Sequence, residues 1–119
     1  MRNRLNGSTN DRNQIPVGTV LVYRTSKGNR GKMQIVGYDP KFHMADYNLR
    51  VRFVTYGRDG SVLVRRNTFL IKGTWLYDLD RGTEIGTPKN RAADLWWEIV
   101  GAGQAYLDFE NGPSFTIVS

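Results

Sequence analysis

Closely spaced arginines are the feature of this sequence best suited to binding a ligand. Arg50 and Arg52 occupy alternate positions of an apolar run, the two-residue period of a half-buried strand, so both project from its polar face. An Asp-Gly turn follows, and if the hairpin closes at residues 57–60 the return strand sets Arg65 or Arg66 opposite the stretch around Arg50 to Arg52. Guanidinium groups crowded on one ribbon repel each other unless anions approach them. The sequence therefore predicts a polyanion-binding face, to which we assign Arg24, Arg30, Lys32, Arg50, Arg52, Arg65 and Arg66.

The charge of the chain is unevenly distributed along its length. The 119 residues include 17 Lys+Arg and 11 Asp+Glu, a formal charge of +6, of which residues 1–77 contribute +10 and residues 78–119 contribute −4. Tyr23, Tyr47 and Tyr56 lie on or near the basic strands, where rings would stack on bases while arginines hold phosphates. Two interpretations stay open: the basic part is a free face that binds nucleic acid, or carboxylates of the second part neutralise it within the sheet. The carboxylates considered for that pairing are Asp78, Asp80, Glu84 and Asp108.

The adjacent tryptophans suggest an alternative ligand. Trp96 and Trp97 point to opposite faces if their segment is a strand, so one lies in the core and the other lies outside it. An outward Trp ring beside Asp94 and Glu98 would suit a sugar, because the ring stacks on the pyranose and carboxylates accept its hydroxyl groups. The residues assigned to ligand stacking are Tyr56, Trp96, Trp97 and Tyr106.

Residue types that perform catalysis are sparse. Cysteine is absent, which excludes disulfides, a thiol nucleophile and a thiolate zinc site. His43 is the single histidine, and no Gly-x-Ser-x-Gly motif supplies a nucleophile for it. Asp78, Asp80 and Glu84 could share a hard cation, but the twelve-residue calcium-loop pattern is not met, since Lys89 stands at its twelfth position. We therefore expect a non-enzymatic protein without a metal or cofactor.

Short apolar runs separated by glycine-rich and asparagine-rich turns predict an all-β fold. The length fits one domain and is short for two independent cores. We expect about six to eight antiparallel strands in a small sandwich or partly open barrel. Hairpin turns are predicted at 26–31, 57–60 and 110–113, and at most a helical turn within 88–98. The predicted strands span residues 19–25, 32–38, 47–56, 61–66, 68–79, 95–100, 105–109 and 114–118.

The first 14 residues differ in composition from the rest. They contain two hydrophobic side chains, too few to offset the entropy of ordering the segment. We interpret residues 1–14 as a disordered basic arm before a single β-rich domain at residues 15–119. The arm lacks the apolar stretch of a secretory signal, and no run approaches the roughly 20 apolar residues of a membrane helix. The expectation is a cytoplasmic protein with no membrane partner.

The sequence thus predicts a small basic β-domain that acts as a binding module, with nucleic acid or another polyanion as its partner. One alternative is carbohydrate or small-ligand binding through exposed Trp and Tyr side chains. Another is a structural homo-oligomer, in which an exposed strand and the spare Trp are buried against a second copy.

Overall fold

A computed structural model describes residues 4–7, 13–40, 47–72, 76–86, 94–101, 104–109 and 114–118. These ranges form ten β-strands and no helix. The strands are β1 (Arg4–Asn6), β2 (Val20–Arg24), β3 (Arg30–Pro40), β4 (Tyr47–Tyr56), β5 (Val62–Ile71), β6 (Leu76–Asp78), β7 (Thr83–Gly86), β8 (Leu95–Gly101), β9 (Gln104–Phe109) and β10 (Ser114–Ile117).

The strands form two sheets of five. The first sheet has the order β1-β9-β8-β6-β7 and the second has the order β10-β2-β3-β4-β5, and every pairing is antiparallel. The predicted all-β fold is confirmed as a small sandwich. The strand count exceeds the expected six to eight because β1, β6 and β7 contain only three or four residues each, too few to give a clear alternation in the sequence.

One hydrophobic core lies between the two sheets. It combines Leu95, Leu107 and Trp97 of the first sheet with side chains of β2–β5 from the second. Aromatic pairs cross the interface: the rings of Phe69 and Tyr77 meet edge to face with centroids 5.5 Å apart. Such rings bury large apolar areas, so the sandwich is stabilised mainly by the inward faces of its longest strands.

The second sheet follows the alternation read from the sequence. β4 has the predicted bounds, with Leu49 and Val51 fully buried and Arg52 exposed on the opposite face. β5 runs without a break from Val62 to Ile71, where two separate strands were predicted. The pairing of β4 with β5 contains two register shifts. At such a bulge the inward and outward alternation of side chains changes, so a single strand can continue past Asn67.

The prediction of a disordered arm is wrong for residues 4–7. β1 pairs with β9, and Leu5 is 1% exposed within the core. A Cβ on Gly7 would lie 2.5 Å from Cη2 of Trp97, so a residue without a side chain is needed where the arm crosses the core. Composition alone missed this segment because a single buried leucine and one paired arginine hold it in place.

Two of the three predicted hairpins are confirmed. β2 and β3 are joined across 25–29, and β4 and β5 across 57–61, where Gly60 has a φ of 87°. The third was wrong, because β9 pairs with β8 and β1 while β10 pairs with β2, so 110–113 connects the two sheets. The predicted helical turn and His43 lie largely or wholly outside the described residues. In the described ranges, no helix has the length and apolar character needed to span a bilayer.

Candidate nucleic-acid interface

The outer surface of β2–β5, which we call the basic face, carries its polar side chains in rows across the strands. In one row Arg24 lies opposite Arg30, which lies opposite Tyr56. Neighbouring strands are only about 4.8 Å apart, so two directly opposed guanidinium groups repel each other unless an anion lies between them. The adjacent rows contain Val22, Lys32, Val54 and Arg65, and then Val20, Gln34 and Arg52.

A groove of about 410 Å³ runs across two of these rows. Val20 and Val54 supply apolar surface, and Gln34 and Asn67 supply amides. Val54 is only 4% exposed although it faces outward, because its cross-strand neighbours stand on both sides of it. The basic residues that line the groove are Lys32, Arg52, Arg65 and Arg66.

The hydrogen bonds of these arginines are made with neutral groups. Nε of Arg52 donates to Oε1 of Gln34 at 2.7 Å. Nε of Arg66 donates to the carbonyl oxygen of Gly82 at 3.3 Å. Gly82 has a φ of 66°, and a Cβ there would lie 2.6 Å from Cγ2 of Val64, so glycine allows the β6–β7 turn to approach β5. Within the described ranges, no carboxylate forms an ion pair with Lys32 or with these arginines.

A second groove of about 640 Å³ lies at the end of the same sheet, between the β2–β3 and β4–β5 turns. Arg24, Arg30, Tyr56 and Arg58 line it. Sequence reasoning missed Arg58, because the two hairpin tips become neighbours only when β3 pairs with β4. Nη2 of Arg58 donates to the carbonyl oxygen of Lys27 at 3.1 Å, which joins the tips.

The seven predicted basic residues therefore divide between the two grooves, with one exception. Arg50 is half-buried, lies opposite Gly37 and Leu70, and lines neither groove. The observed register differs slightly from the predicted one: Arg65 lies opposite Val54 and Arg66 opposite Phe53, just past the stretch from Arg50 to Arg52. Two register shifts displace the return strand, by one residue at Arg65 and by two residues at Phe69, so Arg65 becomes a diagonal neighbour of Arg52.

The tyrosines of the basic strands do not share one environment. Tyr23 points inward and its hydroxyl lies 2.6 Å from Oγ1 of Thr55, so the prediction that it stacks on a base is wrong. Burial raises the pKa of Tyr23 well above its ordinary value, and the hydrogen bond with Thr55 lowers it by less. Tyr56 is half-buried beside the second groove, and the side chain of Tyr47 lies outside the described part of the molecule.

Asp108, one of the carboxylates considered for pairing with the basic strands, is engaged on the first sheet together with Glu98. Asp108 accepts a 2.7 Å hydrogen bond from Nε of Arg4, and Glu98 accepts one of 2.7 Å from Nη2 of the same side chain. The hydrogen bond with Asp108 raises the pKa of Arg4 above its usual value. Arg4 also lies 4.7 Å from the centroid of the Tyr106 ring. These groups form a neutralising cluster on the outer face of the first sheet.

The predicted stacking platform is only partly present. Trp97 is 0% exposed in the core, so its assignment to ligand stacking is wrong, whereas Trp96 is half-buried on the outer face. Asp94 is also 0% exposed and cannot meet a sugar beside Trp96. Tyr106 is contacted by Arg4, which competes for its ring face. Strand alternation correctly predicted that one of the two Trp residues is in the core, but not which one.

Three aspartates meet at the end of the sandwich next to the β2–β3 turn. Asp78 and Asp94 are fully buried, and Asp80 is half-buried. Burial raises the pKa of the Asp94 carboxyl to about 6, while hydrogen bonds from Ser26 and Leu79 lower it by less. The sequence had grouped Asp78 and Asp80 with Glu84, whose side chain lies outside the description. Asp94 joins them only because β6 pairs with β8.

No protein-family model, curated protein or solved structure matches this chain.

Proposed function

We propose that the protein is a non-enzymatic nucleic-acid-binding module that holds phosphates on its basic face. The observation that carries the proposal is the groove lined by Lys32, Arg52, Arg65 and Arg66, in which the described carboxylates neutralise none of these cations. Clustered cations gain affinity for a polyanion by releasing its condensed counterions.

Cross-strand spacing supports binding of a continuous polyanion rather than a single small anion. Adjacent strands lie about 4.8 Å apart, well within the Debye length of about 10 Å at 0.1 M salt, so the fields of neighbouring rows add. The two grooves lie on the same sheet, and together they present cations on four consecutive strands. A chain of phosphates could contact both.

Nucleic acid is favoured over other polyanions by the second groove. Tyr56 lies there beside cationic side chains from β2, β3 and the β4–β5 turn. An aromatic ring beside arginines suits a base and its phosphate, since bases stack on rings and phosphates pair with guanidinium groups. A sulfated polysaccharide would use the charges but not the ring.

The test is fluorescence anisotropy with a labelled single-stranded oligonucleotide of about 16 nucleotides, measured over a range of NaCl concentrations. Four phosphate contacts predict a slope of log K against log salt near −3. Arg65→Gln is expected to weaken binding several-fold and to make the slope shallower by about 0.7.

Arg81→Gln is the matched control, because it removes the same charge from an exposed side chain that lines neither groove. It should leave the slope nearly unchanged. A flat salt response, or equal losses in the two variants, would contradict the proposal. Heparin binding without oligonucleotide binding would identify a polysaccharide partner instead.

A further inference from the structure

The cluster of Asp78, Asp80 and Asp94 has no role in the proposed function. One carboxylate oxygen of each residue lies within 4.8 Å of the other two. Two of the side chains are fully buried, so their charges are poorly screened by water. Like charges at this separation in a buried place require a counter-charge or loss of ionisation.

The protein supplies backbone hydrogen bonds to part of this cluster. Oδ1 of Asp78 accepts from the amides of Asp80 at 2.9 Å and Arg81 at 3.3 Å. The two oxygens of Asp94 accept from the amides of Ser26 at 2.7 Å and Leu79 at 2.8 Å. Donors therefore hold both buried carboxylates in fixed orientations.

Two carboxylate oxygens of this cluster have no hydrogen-bond partner among the described residues. Oδ2 of Asp78 and Oδ2 of Asp80 are buried and accept no hydrogen bond. The side chain of Asp78 is 0% exposed, and its nearest cation is Nε of Arg81 at 3.8 Å, beyond hydrogen-bond distance and on a side chain that is 70% exposed. Buried acceptors without partners are rare in folded proteins, and two on neighbouring carboxylates suit a cation as their ligand.

We propose that Asp78, Asp80 and Asp94 form a calcium site. Carboxylate oxygens are the ligands that hard divalent cations prefer, and Ca²⁺ binds them at about 2.3–2.6 Å. Opposed ligands of Ca²⁺ are then up to about 5 Å apart, which fits the spread of the three oxygens, whereas Mg²⁺ requires a tighter and more regular shell. Water would complete the coordination.

The bound cation would join three separate segments. Asp94 holds the amide of Ser26, and Oδ1 of Asp80 accepts a 2.8 Å hydrogen bond from Nδ2 of Asn29, so the β2–β3 turn depends on the same carboxylates as the β6–β7 turn. Calcium would therefore stabilise the contact between the two sheets at this end of the sandwich. This role is independent of nucleic-acid binding.

The test uses the full chain, freed of metal with EDTA, at pH 7.5. Calorimetric titration with CaCl₂ is expected to show one saturable site, and the thermal midpoint should rise by about 5 °C at tenfold the Kd. Titration to about 10 mM exceeds the roughly 1 mM Kd of weak calcium modules, so absence of saturation there would overturn the proposal. Tighter binding of Mg²⁺ than of Ca²⁺ would also overturn it.

Asp80→Asn is the diagnostic variant, because its remaining oxygen can still accept from Asn29. It should bind calcium at least tenfold more weakly and, without calcium, melt no lower than the wild type, since one like charge is gone. Asp59→Asn is the control, as Asp59 is exposed in the β4–β5 turn. An unchanged affinity of Asp80→Asn would exclude the cluster as the site.

A measurement on the wild type does not depend on how the variant folds. The amides of Ser26, Leu79, Asp80 and Arg81 donate to the cluster, so calcium should shift their NMR resonances first. Shifts confined to the turn at Asp59 and Ser61 would place calcium elsewhere and refute the assignment.

Discussion

Two arginines on opposite outer faces illustrate how differently the sheets use charge. Arg4, on the first sheet, lies 2.7 Å from both Asp108 and Glu98, and its guanidinium contacts an aromatic ring. Arg65, on the second sheet, is exposed and has a cross-strand valine as its neighbour on β4. The first arginine is neutralised within the fold, and the second forms no ion pair with a carboxylate in the described part of the chain.

The difference shows that net charge is a poor guide to binding until the carboxylates are located. The described carboxylates of the second half of the chain serve the first sheet and its turns: Asp108 binds Arg4, Asp94 binds backbone amides, and Asp78 caps the β6–β7 turn. Because these described groups are used internally, they do not pair with the cations that line the first groove. The contrast between the faces can be tested by substitution.

The largest effect is expected from Leu5→Ala. Leu5 fixes β1 in the first sheet, and β1 positions Arg4. Loss of a fully buried leucine costs about 2–4 kcal/mol, measured as the free energy of unfolding in urea. Leu63→Ala makes the same chemical change at a residue that is 49% exposed on the second sheet, and should cost less than about 0.5 kcal/mol. Equal costs would show that residues 4–6 do not belong to the sheet.

A smaller loss of stability is expected when Arg4 is replaced than when Leu5 is, and almost none when Arg65 is replaced. Arg4→Gln leaves Asp108, whose side chain is 10% exposed, without its cation, and should cost about 1–2 kcal/mol in the free energy of unfolding. Arg65→Gln removes the same charge and should change stability by no more than about 0.5 kcal/mol. If the two variants lose equal stability, the contrast between the faces is wrong.

The smallest effect concerns alkaline pH and the contact between the sheets. The Tyr38 hydroxyl donates to the carbonyl oxygen of Ile15, and its ring lies 6.3 Å from that of Trp97. Burial raises the pKa of Tyr38 to about 12, so the unfolded chain releases this proton near pH 10 and the folded protein does not. Stability present below pH 10 is therefore lost as the pH rises toward 12, by roughly 1 kcal/mol at pH 11.

Urea unfolding of Tyr38→Phe at pH 8 and pH 11 checks this assignment. The variant should lose less stability between the two pH values than the wild type does. Some alkaline loss should persist in it, because burial also raises the pKa of Tyr23. An identical pH dependence would show that Tyr38 ionises equally in both states.

Local features of the sequence predicted the second sheet well. The alternation around Arg50 and Arg52 gave β4 its observed bounds, and the Asp-Gly turn correctly joined it to β5. The alternation of a strand and the residue types of a tight turn both depend on positions only a few residues apart, so a short stretch of sequence is enough to predict them. The exact partner of Arg65 was beyond reach, because bulges that arise only on pairing shift the register.

The first sheet and the acidic cluster were predicted less well. β1 and β7 are too short to show a period, and the role of Leu5 depends on a strand about a hundred residues away. Asp94 lies 16 positions after Asp78, with segments between them that the structure only partly describes. No local pattern connects them, since their contact requires β6 to pair with β8.

The sequence by itself determined an all-β protein, the outward alternation of its arginines and the absence of thiol chemistry, because these follow from residue type and short-range spacing. Only the tertiary structure decided which of the described cations form ion pairs, which Trp enters the core and which aspartates meet. Those outcomes depend on long-range strand pairing, in which small shifts of register exchange one neighbour for another.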